Sequence, residues 1–366
     1  MDFSLTEEQK AIAELATKIF QNRLTAEVRK GLERSDDPFD AALWTQLADA
    51  GLIGIVLSEE IGGAGHGPLE LCALLAAAGA AAAPVPLWAV VSATWAIDRF
   101  GSADQRRAIL PDVIAGKAMV TLALAEPDGR DPRVPTATAR RDGDRWVISG
   151  VKTCVPAAHR AAHVVVAARI DDGVGLFLVE PGGATAAVER QVATSGEIQG
   201  QLTLRNAPAT PIGDLAGGAD ALDWLLDRAA IGLCAMELGI TEHVLRMTAS
   251  YTTSRVQFDR PIATFQAVAQ RAADAYIDVE TIRLTLWEAA WRLSRGLPAS
   301  QEVAIAKFWA ADGGQRVTYA AQHLHGGMGF DLEYPLARYY PLSKQIELTL
   351  GGASTQLARL GRLLAE

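Results

Sequence analysis

The spacing of apolar residues changes twice along this chain of 366 residues, and each change marks a different kind of structure. Up to about residue 117, and again from about residue 215, apolar residues recur at the three- and four-residue spacing of helices. Between these segments, short β-type runs are separated by Gly and Asp-Gly turns, a pattern typical of strands. Because helices and strands occupy separate stretches, we predict an α+β protein and no Rossmann-type parallel sheet.

Three domains follow from this pattern: an N-terminal helical domain over residues 1–117, a middle β-domain over residues 118–214 and a C-terminal four-helix bundle over residues 215–366. Thr6 and Gln9 predict a capping box at the start of the first helix. Further helices are predicted near residues 40–51, 68–82, 87–99, 104–115, 219–254, 264–295, 300–325 and 336–364. Strands are predicted at residues 120–125, 145–148, 164–168, 175–179, 188–192 and 201–204.

One uncharged run, from Leu71 to Ile97, exceeds the roughly 20 residues that a helix needs to cross a bilayer. Pro84 and Pro86 interrupt this run, and no excess of Lys or Arg flanks it. The run therefore predicts two buried helices in place of a membrane span.

The net charge of −9 comes without a compensating basic block, which argues against nucleic acid and anionic membrane surfaces as partners. Cys72, Cys154 and Cys234 are odd in number, widely spaced and without a CxxC pair, so neither a disulfide framework nor a metal site is predicted. The acidic start of the chain lacks the basic and apolar regions of a signal peptide. We therefore expect a cytoplasmic location.

Four motifs occur in a characteristic order. They are Leu122–Asp131 (LALAEPDGRD), Gly150–Pro156 (GVKTCVP), Ser254–Gln266 (SRVQFDRPIATFQ) and Gln322–Gly329 (QHLHGGMG). The segment Glu347–Ser354 (ELTLGGAS) follows them. Each motif is weak alone, but together their order and spacing resemble the acyl-CoA dehydrogenases over essentially the whole chain. The resemblance implies a middle domain like a β-barrel between two helical domains, with FAD as the cofactor.

The last two motifs are similar to the family patterns R-x-x-F-G followed by Q, and Q-x-x-G-G-x-G, which contact the FAD of a neighbouring subunit. A guanidinium fork suits a bidentate phosphate contact, and glycines allow a backbone to approach a cofactor closely. A solvated arginine or a plain tight turn would give the same sequence, and His325 is equally explained by a turn or by a phosphate contact. The resemblance implies cofactor contacts for Arg255, Phe258, Gln266, Gln322, His325, Gly326, Gly327 and Gly329.

The first two motifs resemble T-E-P-x-A-G-S-D and G-x-K-x-W-I-T-N, which lie along the flavin, but several side chains are missing. Ala125 replaces a threonine, Cys154 replaces the flavin-covering tryptophan, and Pro156 replaces a threonine that hydrogen-bonds near flavin N5. Cys154 is expected to be buried among small residues. An ordinary strand-ending turn would also explain the first motif. Cofactor contact is still implied for Leu124, Glu126 and Gly129.

The catalytic base is missing at both positions known in the family. Leu350 occupies the place of the usual carboxylate, and leucine cannot accept a proton at any pH. The alternative position, on the first helix of the bundle, falls on Ala229. Asp227 and Glu237 lie on the same predicted helix but point roughly 200 and 80 degrees away from it. Glu347, about one turn before Leu350, is a weak substitute, and no catalytic residue is predicted.

Residues that would contact the chain's own flavin ring are thus replaced, whereas those that would contact the FAD of a neighbouring subunit are retained. This pattern resembles one subunit of the heteromeric acyl-CoA dehydrogenases of steroid degraders. The resemblance implies a subunit of an FAD-dependent enzyme that introduces an α,β double bond into an acyl-CoA, with steroid-derived chains as the first substrates to try. It also implies a glutamate-bearing paralogue in an α2β2 assembly and electron-transfer flavoprotein as acceptor. Two alternatives stay open: a flavin monooxygenase of the same fold, and a non-catalytic paralogue that stabilises its partner.

Overall fold

The computed structural model describes residues 5–129 and 131–365. The first helix is preceded by the predicted capping box, because the Gln9 amide donates to Thr6 Oγ1 (3.2 Å) and the Thr6 amide donates to Gln9 Oε1 (3.0 Å). The helices ahead of the β-domain are α1 Glu7–Arg23, α2 Ala26–Glu33, α3 Ala41–Asp49, α4 Pro68–Ala80, α5 Leu87–Phe100 and α6 Ala103–Ile114. Helix α2 was not predicted, because it has only eight residues and contains Gly31, which lowers its helix propensity.

The uncharged run forms α4 and α5, and the chain between them contains Pro84 and Pro86, as predicted. Both helices bury most of their apolar side chains. No helix that the structure describes combines the length and the apolar character needed to reach across a bilayer.

The middle of the chain forms seven strands: β1 Val120–Ala123, β2 Thr138–Asp142, β3 Arg145–Pro156, β4 His163–Ile170, β5 Gly173–Val179, β6 Ala186–Val192 and β7 Ile198–Pro211. The order β4, β2, β3, β7, β5 closes on itself because β5 also pairs with β4, while β1 extends from β4 and β6 from β7. Valines of β4 and Phe177 fill the centre of this small barrel. The predicted α+β fold class with a barrel-like middle domain is confirmed.

Two features of the barrel escaped the sequence pattern. Strand β2, with the sequence TARRD, is exposed at every residue except Ala139 and therefore has no apolar repeat. Strand β3 is longer than predicted because its register with β7 shifts twice, between Ile148 and Gly150 and between Lys152 and Val155. Such bulges interrupt the alternation of apolar and polar residues from which a strand is recognised.

The remaining chain forms α7 Gly218–Ser254, a hairpin of β8 Val256–Gln257 and β9 Arg260–Pro261, then α8 Gln266–Ser294, α9 Ser300–His325, α10 Tyr339–Leu348 and α11 Ala353–Ala365. The predicted single helix over residues 336–364 is wrong, because α10 and α11 are separated at Thr349–Gly352. Leu350 and Gly351 adopt left-handed backbone angles there, with φ of 60° and 92°. A bulky residue in this conformation costs on the order of 1–3 kcal/mol, so surrounding contacts must hold it.

The fold divides into two compact units. One comprises residues 22–67 and 84–229, and the other comprises the described residues of 1–21, 68–83 and 230–366. The predicted domain boundaries lie in connections between elements, after α6 and between β7 and α7, and they stay predictions.

Helices α4 and α7 approach so closely that glycine is required on both sides. A Cβ added at Gly239 would lie 1.8 Å from the carbonyl oxygen of Ala76, and one added at Gly79 would lie 2.0 Å from that of Met236. Both distances are far below van der Waals contact. The two helix backbones therefore touch directly, without intervening side chains.

We predict that Gly239→Ala lowers the free energy of unfolding by at least about 2 kcal/mol, because the added methyl group meets a backbone carbonyl that cannot move cheaply. Gly361→Ala on α11 is the control, since nothing lies within 4 Å of a Cβ added there. That change should stabilise the chain by about 0.5–1 kcal/mol through helix propensity. Urea unfolding of both variants gives the comparison, and equal stabilities would contradict the close approach of α4 and α7.

Candidate functional site

Arg255 directly follows α7 and presents its side chain to solvent. Its amide donates to the carbonyl of Tyr251 (2.8 Å), and its own carbonyl accepts a hydrogen bond from the amide of Ile262 (2.9 Å). Because the amide and the carbonyl of Arg255 are both hydrogen-bonded, the backbone from which its guanidinium extends has a fixed position. It is therefore available to an anionic group outside this chain.

The hairpin after Arg255 carries the second retained residue. Phe258 and Asp259 form its tip with left-handed φ angles of 53° and 62°, and Phe258 is 85% exposed. The Phe258 ring meets Phe265 edge-on, with 6.1 Å between centroids, and the Arg260 guanidinium lies 4.1 Å from the centre of the Phe265 ring. Asp259, which departs from the family glycine, is tolerated because aspartate adopts this backbone more readily than most residues.

Gln266 is the first residue of α8 and is exposed. It comes directly after Phe265, so the hairpin and the start of α8 together offer Arg255, Phe258 and Gln266 at the surface. These are three of the residues for which the resemblance implies contact with a neighbour's FAD, and their exposure allows contact with another molecule.

A pocket of about 280 Å³ lies at the end of α9, lined by Tyr319, Gln322, His323, Gly326 and Phe330. The Gln322 side-chain amide donates to the Gly329 carbonyl (3.4 Å) and so braces the glycine turn from within. A Cβ added at Gly329 would lie 2.5 Å from the Gln322 carbonyl oxygen, and Gly326 has a left-handed φ of 58°. Both glycines are therefore required by the turn itself, while Gly326 and Gly327 remain exposed.

His325 is 2% exposed and lies between two aromatic rings, with centroid distances of 4.4 Å to Tyr251 and 5.3 Å to Tyr334. Its Nδ1 is 2.8 Å from the carbonyl oxygen of Ala321, and because a carbonyl can only accept, Nδ1 carries the proton. Burial lowers the pKa of His325 against the opposing effect of that bond. The neutral ring has no second N–H for a phosphate, so the geometry favours the structural alternative for this residue.

His323 was missed in the sequence. Counted back from Gly326, the pattern Q-x-x-G-G places its glutamine at position 323, which holds histidine here, whereas Gln322 is one residue earlier. The side chain of His323 is exposed and lines the pocket, while Gln322 contacts the turn. Strict counting of the motif would have found this residue.

In the other unit, the loop after β1 is fixed by a buried carboxylate. Glu126 accepts hydrogen bonds from Lys152 Nζ (2.7 Å), from the amide and hydroxyl of Thr136 (2.6 and 2.5 Å) and from the Ala137 amide (2.9 Å). Burial alone would raise the pKa of Glu126, but these donors outweigh it and hold the pKa below its ordinary value. Burial lowers the pKa of Lys152, and Glu126 opposes that effect. The Glu126 side chain is thus used internally, and a cofactor could meet only the backbone here.

The surface of this loop offers few polar groups. Leu124 is buried, while Ala125 and Gly129 are exposed. The Ala125 carbonyl accepts from the Thr153 amide (3.0 Å), which joins the loop to β3. The next residue, Cys154, is exposed at the second bulge of β3 with a φ of 51°, so the expectation of a buried cysteine is wrong. The bulge turns this side chain outward, and sequence spacing does not reveal it.

Neither family position for the base carries a carboxylate. Leu350 is half-buried, and its carbonyl accepts from Gln356 Nε2 (2.8 Å). Ala229 is fully buried, and its carbonyl accepts from the indole N–H of Trp88 (2.8 Å). Glu347, the weak substitute, forms an ion pair with Lys344. No described group at these positions is an uncommitted carboxylate.

Comparisons with known proteins cover the whole chain. The N-terminal, middle and C-terminal domain models of acyl-CoA dehydrogenases match residues 6–117, 121–207 and 216–364. The acyl-CoA dehydrogenase FadE27 of Mycobacterium tuberculosis is 39% identical over 375 residues, which span 100% of this chain and 99% of that protein.

Two solved structures are similar throughout. The ChsE4-ChsE5 complex from Mycobacterium tuberculosis contains a chain with a TM-score of 0.94 and 38% identity, covering 100% of this chain and 99% of that one. A variant of the Tcur3481-Tcur3483 steroid ACAD contains a chain with a TM-score of 0.93 and 43% identity, covering 98% of each chain.

We predict that Lys152→Met lowers the free energy of unfolding by about 3–5 kcal/mol, because it leaves the Glu126 carboxylate buried without its cation. Lys10→Met, which breaks the exposed pair with Glu7, is the control and should change stability by less than about 1 kcal/mol. Adding Glu126→Gln to Lys152→Met should recover part of the loss. Denaturant unfolding measures all three, and a Lys152→Met chain as stable as the starting chain would refute the role given to this pair.

Proposed function

The chain belongs to the acyl-CoA dehydrogenase family, and we propose that it is the subunit without a catalytic base in a heteromeric, FAD-dependent acyl-CoA dehydrogenase. A glutamate-bearing paralogue supplies the base and most contacts to the flavin ring. This chain lends Arg255, Gln266 and the turn at residues 326–329 to that site. The reaction introduces an α,β double bond into a CoA thioester.

The proposal rests on a difference between two groups of residues. Those that would serve this chain's own flavin and substrate lack the polar side chains of the family, whereas those that would contact a neighbour's FAD keep them. Both base positions are apolar, at Leu350 and Ala229, and the loop after β1 offers Ala125 where the family has a hydroxyl. By contrast, Arg255 and Gln266 are exposed. Since α-proton removal requires an acceptor held against the substrate, this chain needs a partner to complete the chemistry.

The retained residues have the chemistry to contact an FAD that is bound mainly by the partner subunit. Arg255 provides a delocalised charge for a pyrophosphate, and the exposed Gly326 and Gly327 allow close backbone approach. When bound, FAD supplies the acceptor for the hydride that leaves the acyl β-carbon. This chain's residues contribute to binding it and orienting it, without taking part in proton transfer.

The names of the similar structures support a two-chain assembly and a steroid-derived acyl group. The ChsE4-ChsE5 and Tcur3481-Tcur3483 names each join two different chains, and the latter is described as a steroid ACAD. We extend both features to this chain, as an α2β2 heterotetramer acting on steroid-type acyl-CoA, with electron-transfer flavoprotein as the electron acceptor. Closed symmetry of this kind is the usual form of soluble oligomers. A cytoplasmic location completes the proposal and suits the free Cys72, Cys154 and Cys234.

Arg255→Ala should weaken FAD binding to the assembled complex about 10- to 100-fold, because a charge-assisted hydrogen bond contributes roughly 1.5–3 kcal/mol. Arg246→Ala is the matched control, since Arg246 is an exposed arginine of α7, nine positions before Arg255 and outside the retained motif. Flavin fluorescence titration of the apo complex gives both affinities. Unchanged affinity in the Arg255 variant would remove this residue from the site.

Expressed alone, the chain should retain little FAD and oxidise acyl-CoA negligibly, whereas co-expression with a glutamate-bearing paralogue should give one FAD per heterodimer and acyl-CoA-dependent bleaching. Leu350→Glu should not restore activity to the chain alone, because the contacts to its own flavin ring remain absent. Glu347→Gln should leave the complex active. Flavin stoichiometry and acyl-CoA oxidation measure these outcomes.

A homomeric preparation with full flavin and rapid turnover would overturn the proposal, and loss of that turnover on Glu347→Gln would identify the substitute base. Oxygen uptake that depends on a flavin reductase, without acyl-CoA bleaching, would instead support a monooxygenase. Unchanged activity and unchanged FAD affinity of the complex after the loss of Arg255 would support a partner that only stabilises its paralogue.

A further inference from the structure

Two arginines in the compact unit that contains the β-domain have no carboxylate partner. Arg228 is half-buried on α7, and Arg99 is exposed near the end of α5. Neither forms an ion pair with any residue that the structure describes, although the chain has 43 acidic and 34 basic residues. An unpaired charge that is partly removed from water is costly, which indicates a use other than packing.

The guanidinium of Arg228 is held in one orientation by two tryptophans. Its Cζ lies 3.8 Å from the centre of the Trp224 ring and 5.4 Å from that of the Trp95 ring. Its Nη1 donates to the carbonyl of Trp224 (3.3 Å). The aromatic faces stabilise the cation, and the hydrogen bond fixes its plane.

Most of the donors of Arg228 are unused. A guanidinium has five N–H groups, and the bond to the Trp224 carbonyl is the one that a described residue accepts. Nε is buried without a partner, whereas Nη2, which also has no acceptor, is open to solvent. The Nη2 edge is therefore available to an anion that arrives from solution.

Arg99 belongs to the same cluster of side chains. It follows Trp95 by four residues on α5, so the two side chains are neighbours on one face of that helix. The rings of Trp95 and Phe100 each meet Trp224 edge-on at 5.2 Å, and the Arg99 Cζ lies 6.0 Å from the centre of the Phe100 ring. These five residues, with Arg228, are here called the arginine–aromatic cluster.

The charges within this cluster oppose each other. The pKa of Arg228 is lowered to about 10 by burial and by the positive charge of Arg99, against a raising effect of Asp227. Arg228 is still protonated at neutral pH, and the carboxylate of Asp227 is shared with Arg133 (3.5 Å). An anion bound between the two guanidiniums would relieve their repulsion.

We propose that Arg99 and Arg228 form a binding site for a dianionic phosphate group, with the rings of the arginine–aromatic cluster beside it. The two unpaired positive charges match the charge of about −1.5 to −2 that a phosphate monoester carries at pH 7. Guanidinium N–H groups also suit the geometry of phosphate oxygens. A carboxylate carries a single negative charge and would leave part of the repulsion in place.

This chemistry is shared by inorganic phosphate and by phosphate monoesters. The site is a property of this chain by itself, so it does not rest on the proposed function, and it requires neither FAD nor a partner chain.

The test is isothermal titration calorimetry of the full-length chain at constant ionic strength, with inorganic phosphate, glycerol 3-phosphate and acetate as probes. Both phosphates should bind saturably at one site per chain, and acetate should bind at least about tenfold more weakly because it carries one charge. An ester that binds more tightly than the ion identifies a phosphate monoester as the ligand. An ester that binds equally or less tightly identifies the free ion.

Arg228→Met keeps an unbranched side chain between the two indole rings but removes the charge, and it should weaken phosphate binding by about tenfold or more. Arg99→Met should weaken it in the same direction. Arg107→Met is the matched control, since Arg107 is an exposed arginine of α6 that pairs with Asp104 (3.5 Å), and its phosphate affinity should equal that of the starting chain.

The absence of saturable phosphate binding to the starting chain would overturn the site. Phosphate affinity that Arg228→Met leaves unchanged would do the same and would assign Arg228 to packing. If Arg228→Met does not fold, Arg99→Met decides, because Arg99 is exposed and the Phe100 ring is the contact that the described residues give it. Unchanged affinity in that variant would also exclude a site formed by two arginines.

Discussion

The buried ion pair between Glu126 and Lys152 is the interaction on which the loop after β1 depends. It fixes the loop after β1 to β3, and Thr136 and Ala137 complete the hydrogen bonds of the carboxylate. A pair of this kind must be kept whole, because removing either charge leaves the other one buried and unpaired. The position of this loop is therefore set by the buried pair and not by the exposed side chains of Ala125 and Cys154.

The same rule applies in the unit that contains α9. Lys307 is buried there, and it uses two carbonyl groups as acceptors, with no carboxylate of the described residues in an ion pair with it. Glu237 is also buried, and its Oε1 accepts a hydrogen bond from Ser343, a residue distant in sequence. Its Oε2 has no hydrogen-bond partner among the described residues. Buried polar groups of this kind fix a unique geometry more than they add stability, since their desolvation offsets much of what their contacts contribute. In this chain Lys307 fixes the end of α10, because its two acceptors are the carbonyls of Ile346 and Glu347.

The residues that differ from the family's base positions and the residues that match its FAD-contacting motifs differ in burial. The chemistry of the base is lost through two apolar side chains, Leu350 and Ala229, that pack into their own unit. Arg255 and Gln266, by contrast, are exposed. Exposed polar side chains can contact another molecule, which is the role proposed for these two residues.

The sequence by itself determined the fold class, the capping box at Thr6, the separation of α4 from α5 at Pro84 and Pro86, and the absence of a carboxylate at positions 350 and 229. Each of these depends on local pattern or on the chemistry of one side chain. The tertiary structure decided the outward position of Cys154, the tautomer of His325, the break at Leu350 and the burial of Glu237. These depend on bulges, carbonyl partners and neighbouring helices that are distant in sequence, so no spacing within one segment could reveal them.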